Sequence, residues 1–308
     1  MENGVTEQIE ARDKLRELRA LLKGIAPVLV AYSGGVDSTF LLAEAKATLG
    51  DRVLGVIADS PSLPRAALAD ALAAAKGFGA HVEVISTAEL DDPRYTRNPF
   101  NRCYFCKLEL FTRMGRMATE RGFRSLAYGE NADDAFQVRP GAGAAREFRV
   151  LSPLRMTGLT KAEIRLFSRE QGLPTADIPA QPCLSSRIPY GTVVTTDALR
   201  MIEQAEEYVR SCGFRIFRVR YLAQPGHPPI AKLQIVPSEM DKLPPLETQI
   251  REALAAIGFL DLMVDPDGYR APSQVGELRS QPDGVASAGG TLNRSSNIYF
   301  DPTASLSY

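Results

Sequence analysis

The chain has 308 residues, enough for about two domains, and its 44% hydrophobic content supports a substantial core. Lys and Arg total 36 against 37 for Asp and Glu, a net charge of −1, which disfavours a broad nucleic-acid surface and leaves only a local basic patch open. No apolar run approaches the ~18 residues of a membrane span, and the opening MENGVTEQIEARDKL has no signal-peptide core. The expectation is therefore a cytoplasmic protein with no membrane partner, whose four cysteines serve metal binding or catalysis rather than disulfides.

Ile9, Leu15, Leu18, Leu21 and Leu22 space an amphipathic first helix. Residues 28–32 (VLVAY) read as a buried parallel strand, followed by Ser33-Gly34-Gly35-Val36-Asp37-Ser38 and an apolar helix through Phe40, Leu41 and Leu42, ending near Gly50. Residues 53–58 form a second buried strand. Pro64 opens an alanine-rich helix that runs to Lys76-Gly77, and 81–85 form a third strand. This βαβαβ run implies a parallel sheet. A proline-interrupted loop, 91–100, delivers NRCYFCK and a helix marked by Leu108, Phe111 and Met117. The strand 126–128 ends at GENADD. Residues 139–147 are glycine- and alanine-rich and read as a mobile loop, Thr160 with Glu163 forms a capping box, and 174–182 is a proline-rich loop carrying CLSSR.

The expected division is 1–189 for an α/β nucleotide-binding domain on a parallel sheet and 190–271 for a smaller α/β domain of ferredoxin-like character. Residues 272–308, rich in Ser, Gly, Asn and Pro, read as a disordered tail. In the smaller domain, helices marked by Leu199/Ile202/Ala205/Val209 and Leu246/Ile250/Leu254/Ile257 surround strands 216–221, 231–236 and 259–264.

The glycine-rich turn between strand and helix directs backbone N–H groups and the positive end of a helix dipole at one spot. Gly34 and Gly35 let an anion approach the backbone, Ser33 and Ser38 add hydroxyls, and Asp37 suits a phosphate only if a divalent cation accompanies it. No Gly-Lys-Ser/Thr follows, which excludes the Walker loop, and the glycine spacing excludes the dinucleotide fingerprint.

Cys103 and Cys106 form a C-x-x-C at a helix start, and Cys183 is a third loop cysteine. Three thiolates suit a 4Fe-4S cluster with one open iron. A structural zinc would want a fourth ligand from His81, His227 or Cys212, none well placed. A redox C-x-x-C, or plain thiols with Cys183 as a lone sulfur carrier, complete the alternatives. Arg187, four residues after Cys183, would favour its thiolate. On one sheet face of the smaller domain Arg218, Arg220 and Lys232 gather, either to hold a substrate phosphate or as a solvated face. Asp133 or Asp134 would orient magnesium or substrate, or simply lie at the surface.

SGGVDS resembles the loop of the PP-loop ATP pyrophosphatases, which split ATP into AMP and pyrophosphate. Together with NRCYFCK, GENADD, LSPL…LTKAEIR, CLSSR and FRVR, over residues 8–270, the chain resembles the LarE family. That resemblance implies adenylation of a pyridinium dicarboxylate mononucleotide and its conversion to a thiocarboxylate for the nickel-pincer nucleotide cofactor, with ATP and Mg2+. It implies ATP on Ser33, Gly34, Gly35, Asp37, Ser38 and Asp133, and substrate on Arg187, Arg218 and Arg220. Of the family's two kinds, one-cysteine and three-cysteine, Cys103, Cys106 and Cys183 match the kind thought to bind a 4Fe-4S cluster. A homo-oligomer is implied as well. Gln234 stands where the family would carry an acidic residue. The rival readings are a tRNA thiolase, which predicts a basic RNA surface, an amide-forming ATP pyrophosphatase, which leaves the cysteines without a task, and a non-enzymatic nucleotide-binding module, which would bind ATP without releasing pyrophosphate.

Overall fold

The computed structural model describes residues 2–136, 140–179 and 181–269; the expected tail, 272–308, lies outside them. The element order is α1 (Glu2–Ile25), β1 (Val28–Ala31), α2 (Val36–Leu49), β2 (Val53–Asp59), α3 (Arg65–Gly77), β3 (Val82–Ser86), α4 (Pro93–Thr96), α5 (Arg102–Arg121), β4 (Ser125–Tyr128), α6 (Gly141–Glu147), α7 (Pro153–Met156) and α8 (Lys161–Glu170). The chain continues with α9 (Thr196–Ser211), β5 (Phe217–Gln224), β6 (His227–Ile235), α10 (Glu247–Ile257) and β7 (Asp261–Val264).

β1 is apolar throughout because it lies inside a parallel sheet of order β3-β2-β1-β4, covered on both faces. Its alternating side chains sort the helices. Val28 and Val30 pack with Leu15, Leu18, Leu22, Phe40, Leu41 and Phe167 of α1, α2 and α8. Leu29 turns to the opposite face, with Phe111 and Met114 of α5 and Ala144 of α6. The strand order reverses at β1: the chain moves outward to β2 and β3, then returns to lay β4 on the other side of β1. In open α/β sheets, ligands bind at the carboxyl ends of the strands where the order reverses. SGGVDS follows β1 and GENADD follows β4, so the topology brings both motifs to that crevice.

The remaining elements form a three-stranded sheet, β5-β6-β7, with β5 and β6 antiparallel and β6 and β7 parallel. It has its own core of Val209, Phe217, Val219, Leu233, Ile250 and Leu254.

Three expectations are corrected. The segment read as a mobile loop at 139–147 contains a helix, α6; Gly141 and Gly143 let its backbone approach Lys107 and Tyr104 of α5, and Tyr104 donates to Glu147 at 2.8 Å. The loop at 91–100 contains the short helix α4, capped by Asp92, whose carboxylate accepts from Arg94 N at 2.8 Å. Ile9, placed on the apolar face of α1, is 57% exposed.

Candidate active site

The glycine turn is held from within and from behind. The Ser33 and Ser38 hydroxyls lie 3.0 Å apart, and Ser38 Oγ also accepts from Ser33 N and donates to Gly35 O, each at 3.1 Å. Gly34 has φ +73°, and a Cβ there would stand 2.6 Å from Ala71 Cβ of α3. Gly129, the first residue of GENADD, is as tightly placed: its Cβ would lie 2.7 Å from Ser38 N. These two glycines are required by contact, since any side chain would collide with α3 or with the first turn of α2. Gly35 occupies the N-cap of α2 and contributes no side-chain cap, so the dipole end of a 14-residue helix faces the crevice.

Asp37 sits in this first turn, half-buried. Its Oδ2 accepts from Lys161 Nζ at 2.6 Å, while its Oδ1 is buried with no hydrogen-bond partner. Lys161 is the first residue of α8, fixed by the capping box of Thr160 and Glu163, and its N–H donates to Asp133 Oδ2 at 2.8 Å. Asn131 Oδ1 accepts from Asp133 N at 2.9 Å. The glycine turn, GENADD and the start of α8 thus converge on one point. Sequence pattern alone does not single out Lys161; its signal is its place in LTKAEIR.

The three cysteines meet at a second point. Cys103 and Cys106 lie in the first turns of α5, and Cys183 is the N-cap of a short 3-10 helix, Leu184–Arg187. Cys103 is exposed as a residue, yet protein crowds its sulfur, so desolvation and then the neighbouring Cys183 hold its thiol above the ordinary range. Desolvation raises Cys106 further, with Glu89, Cys183 and Cys103 adding to it. Cys106 packs against the apolar cluster that contains Leu184, the residue after Cys183, so the C-x-x-C helix and the Cys183 loop meet. Asp37 belongs to the glycine turn, not to this group.

Among the described residues, no three His, Cys, Asp or Glu side chains stand close enough to hold one metal ion, so a zinc centre has no ready ligand set there. His81 and His227 are exposed at the start of strands, and Cys212 packs against the core of the smaller sheet. A cluster makes a different demand, because each thiolate binds a different iron and the sulfurs stand further apart. Two cysteines one helical turn apart on α5 and a third on the loop packed against it are soft sulfur donors of the kind such a group takes.

The smaller sheet grips the Cys183 loop. Arg187 donates from Nε and Nη2 to the two Glu206 carboxylate oxygens, each at 2.9 Å, with both side chains almost wholly buried. Arg187 Nη1 also donates to Cys183 O at 3.1 Å. The charge expected to serve the Cys183 thiolate is therefore committed to Glu206. Arg220 donates to Ser186 O at 2.6 Å and to Gln234 Oε1 at 2.8 Å. Burial and then the Arg187 charge press Arg218 and Arg220 below the ordinary arginine range, as expected where guanidiniums crowd together in a half-buried site. Lys232, grouped with them from the sequence, is instead paired with Asp265 at 2.9 Å. Gln234 donates to the same Asp265 at 2.7 Å.

No family model matches the chain. It is 38% identical over 260 residues, 84% of its length and 95% of the relative's, to an uncharacterised protein of Synechocystis sp.. It is 30% identical over 259 residues, 84% of its length and 92% of the relative's, to the pyridinium-3,5-bisthiocarboxylic acid mononucleotide synthase of Lactiplantibacillus plantarum. Similarity to the GMP synthase (glutamine-hydrolysing) of Aeropyrum pernix, at 27%, spans 61% of the chain and 40% of that protein. With the parallel sheet and the glycine turn at its switch point, these define the fold as that of the PP-loop ATP pyrophosphatases. Within that class, the chain belongs to the LarE family, the family of pyridinium-3,5-bisthiocarboxylic acid mononucleotide synthase. No helix among the described residues is long and apolar enough to cross a membrane.

Proposed function

We propose that the chain is an ATP-dependent sulfur transferase that adenylates a carboxylate of a pyridinium dicarboxylate mononucleotide and converts it to a thiocarboxylate in nickel-pincer nucleotide synthesis. The observation that carries this reading is Asp37, a carboxylate at a phosphate-ready helix start with one oxygen buried and unpartnered. An orphaned carboxylate oxygen beside an anion site is what a magnesium–triphosphate would complete. ATP phosphates bind Ser33, Gly34, Gly35 and Ser38, and Asp37 is the residue that holds magnesium, which supplies charge neutralisation. The substrate carboxylate attacks the α-phosphorus and pyrophosphate departs, its developing charge met by the α2 dipole and by Lys161. Asp133 fixes Lys161 through its backbone N–H. A sulfur nucleophile from the cysteine corner then attacks the acyl carbon, and the bond to AMP breaks.

In this reading residues 1–189 perform the activation, and 190–271 supply Arg218 and Arg220 to the substrate phosphate while Arg187 holds the Cys183 loop. Cys103, Cys106 and Cys183 would hold a 4Fe-4S cluster, which would supply exchangeable sulfide. Anaerobic purification with iron and acid-labile sulfide analysis tests this part. About four irons per chain, lost in Cys103→Ala, is the expected result for a three-cysteine cluster. An iron-free protein that cleaves ATP and loses the Cys183 sulfur on turnover, read by mass spectrometry, would make Cys183 the donor instead.

A further inference from the structure

Arg102 stands directly before Cys103 as the first residue of α5, and it is 4% exposed. A guanidinium keeps its charge, and burying one is costly without compensation. Its partners are neutral: Asn98 Oδ1, the backbone oxygen of Ser185 at 3.0 Å, and the Tyr190 ring, whose centroid lies 6.0 Å from the guanidinium carbon. Glu89, the buried carboxylate that influences Cys106, makes no ion pair with it.

The partners of Arg102 belong to the Cys183 side of the corner. Ser185 is two residues beyond Cys183, and its hydroxyl lies 2.8 Å from that of Tyr95, which is fully buried. Asn98 donates to Pro189 O at 2.8 Å. One side chain on the C-x-x-C helix therefore reaches 83 residues along the sequence to grip the segment that carries the third thiol. It also leaves a buried positive charge at the positive end of α5, next to Cys103, and among the described residues no carboxylate pairs with it.

The geometry points to Arg102 as the positioning residue of the sulfur centre: it binds the Cys183 segment to the Cys103–Cys106 helix and supplies the positive charge that anionic sulfur requires there. This inference rests on the sulfur-transfer reading. Its test separates the two by including a readout that needs neither metal nor turnover.

The full chain carrying Cys212→Ser is compared with its Arg102→Gln and Arg102→Lys forms. Dibromobimane, which fluoresces only on bridging two thiols, is applied to the metal-free proteins, and the bridged peptides are mapped. Bridges from Cys183 to Cys103 or Cys106 are expected to fall about 10-fold in Arg102→Gln, with a similar fall in iron and sulfide retained after anaerobic reconstitution. Arg102→Lys keeps the charge and loses the fork, so its bridging also falls while iron retention recovers part of the way. ATP affinity and Tm stay near those of the parent; a merely structural role would lower all of these together. Parent-level bridging and iron retention in Arg102→Gln would overturn the assignment. If that variant does not fold, parent-level bridging in Arg102→Lys overturns it. A parent chain that retains no iron refutes the cluster, and the bridging result still decides the role of Arg102.

Discussion

Asp37→Asn is expected to slow ATP-dependent pyrophosphate release by about 10²–10³-fold, the scale on which a preorganised electrostatic group is lost from a transition state. The fold uses only half of this carboxylate. Oδ2 receives Lys161 at 2.6 Å, while Oδ1 is buried without a partner. An unmade bond of this kind costs about 1–3 kcal/mol, and a simple structural ion pair would not need it. Asparagine preserves the shape and removes the charge, which weakens the hold on magnesium and leaves Lys161 without its anion. The check is a coupled pyrophosphate assay across a magnesium titration, with Tm measured alongside. The expected pattern is a raised magnesium requirement and a depressed maximal rate at near-normal Tm. A rate equal to that of the unsubstituted chain would reduce Asp37 to a tether for α8.

The second large effect is on stability. Glu206→Gln removes the anion from a bidentate pair in which both side chains are nearly inaccessible, leaving Arg187 buried and unbalanced. Breaking such a pair from one side costs about 3–5 kcal/mol, a fall in Tm of roughly 10 °C for a chain of this size. Glu206 also accepts from Val219 N at 3.1 Å, so α9, β5 and the Cys183 loop share this one carboxylate. The double replacement Arg187→Met with Glu206→Leu is expected to recover much of the lost Tm, because it removes both buried charges. It should not recover sulfur transfer, since the fork that binds Pro182 O and Cys183 O is gone. Thermal unfolding of the three variants reads the first effect, and single-turnover thiocarboxylate formation reads the second.

What the sequence disclosed follows the range of the forces involved. The glycine turn was legible because its requirements are local: an apolar strand, two glycines, two hydroxyls and a helix start within eleven residues. The Thr160–Glu163 box was legible for the same reason. The helix α6 was hidden because its glycines, poor helix formers, serve close packing against Lys107 and Tyr104. The Lys161–Asp37 pair spans 124 positions and follows from strand order, which no local pattern encodes. In the smaller sheet, alternation put Arg218, Arg220 and Lys232 on one face, and the register sets Arg220 opposite Lys232, but Asp265 lies beyond the last strand and claims the lysine. Arg102 was read as part of a motif around two cysteines; only the folded chain shows its guanidinium crossing to Ser185.

The most direct measurement is the product set from ATP, magnesium and a pyridinium dicarboxylate mononucleotide, with protein prepared without oxygen. Nucleotides are separated by chromatography and the pyridinium species weighed by mass spectrometry. AMP and pyrophosphate are expected in equal amounts, with sulfur replacing a carboxylate oxygen of the mononucleotide. ADP and phosphate, or AMP and pyrophosphate with the mononucleotide unchanged in the presence of a competent sulfur source, would contradict the sulfur-transfer reading.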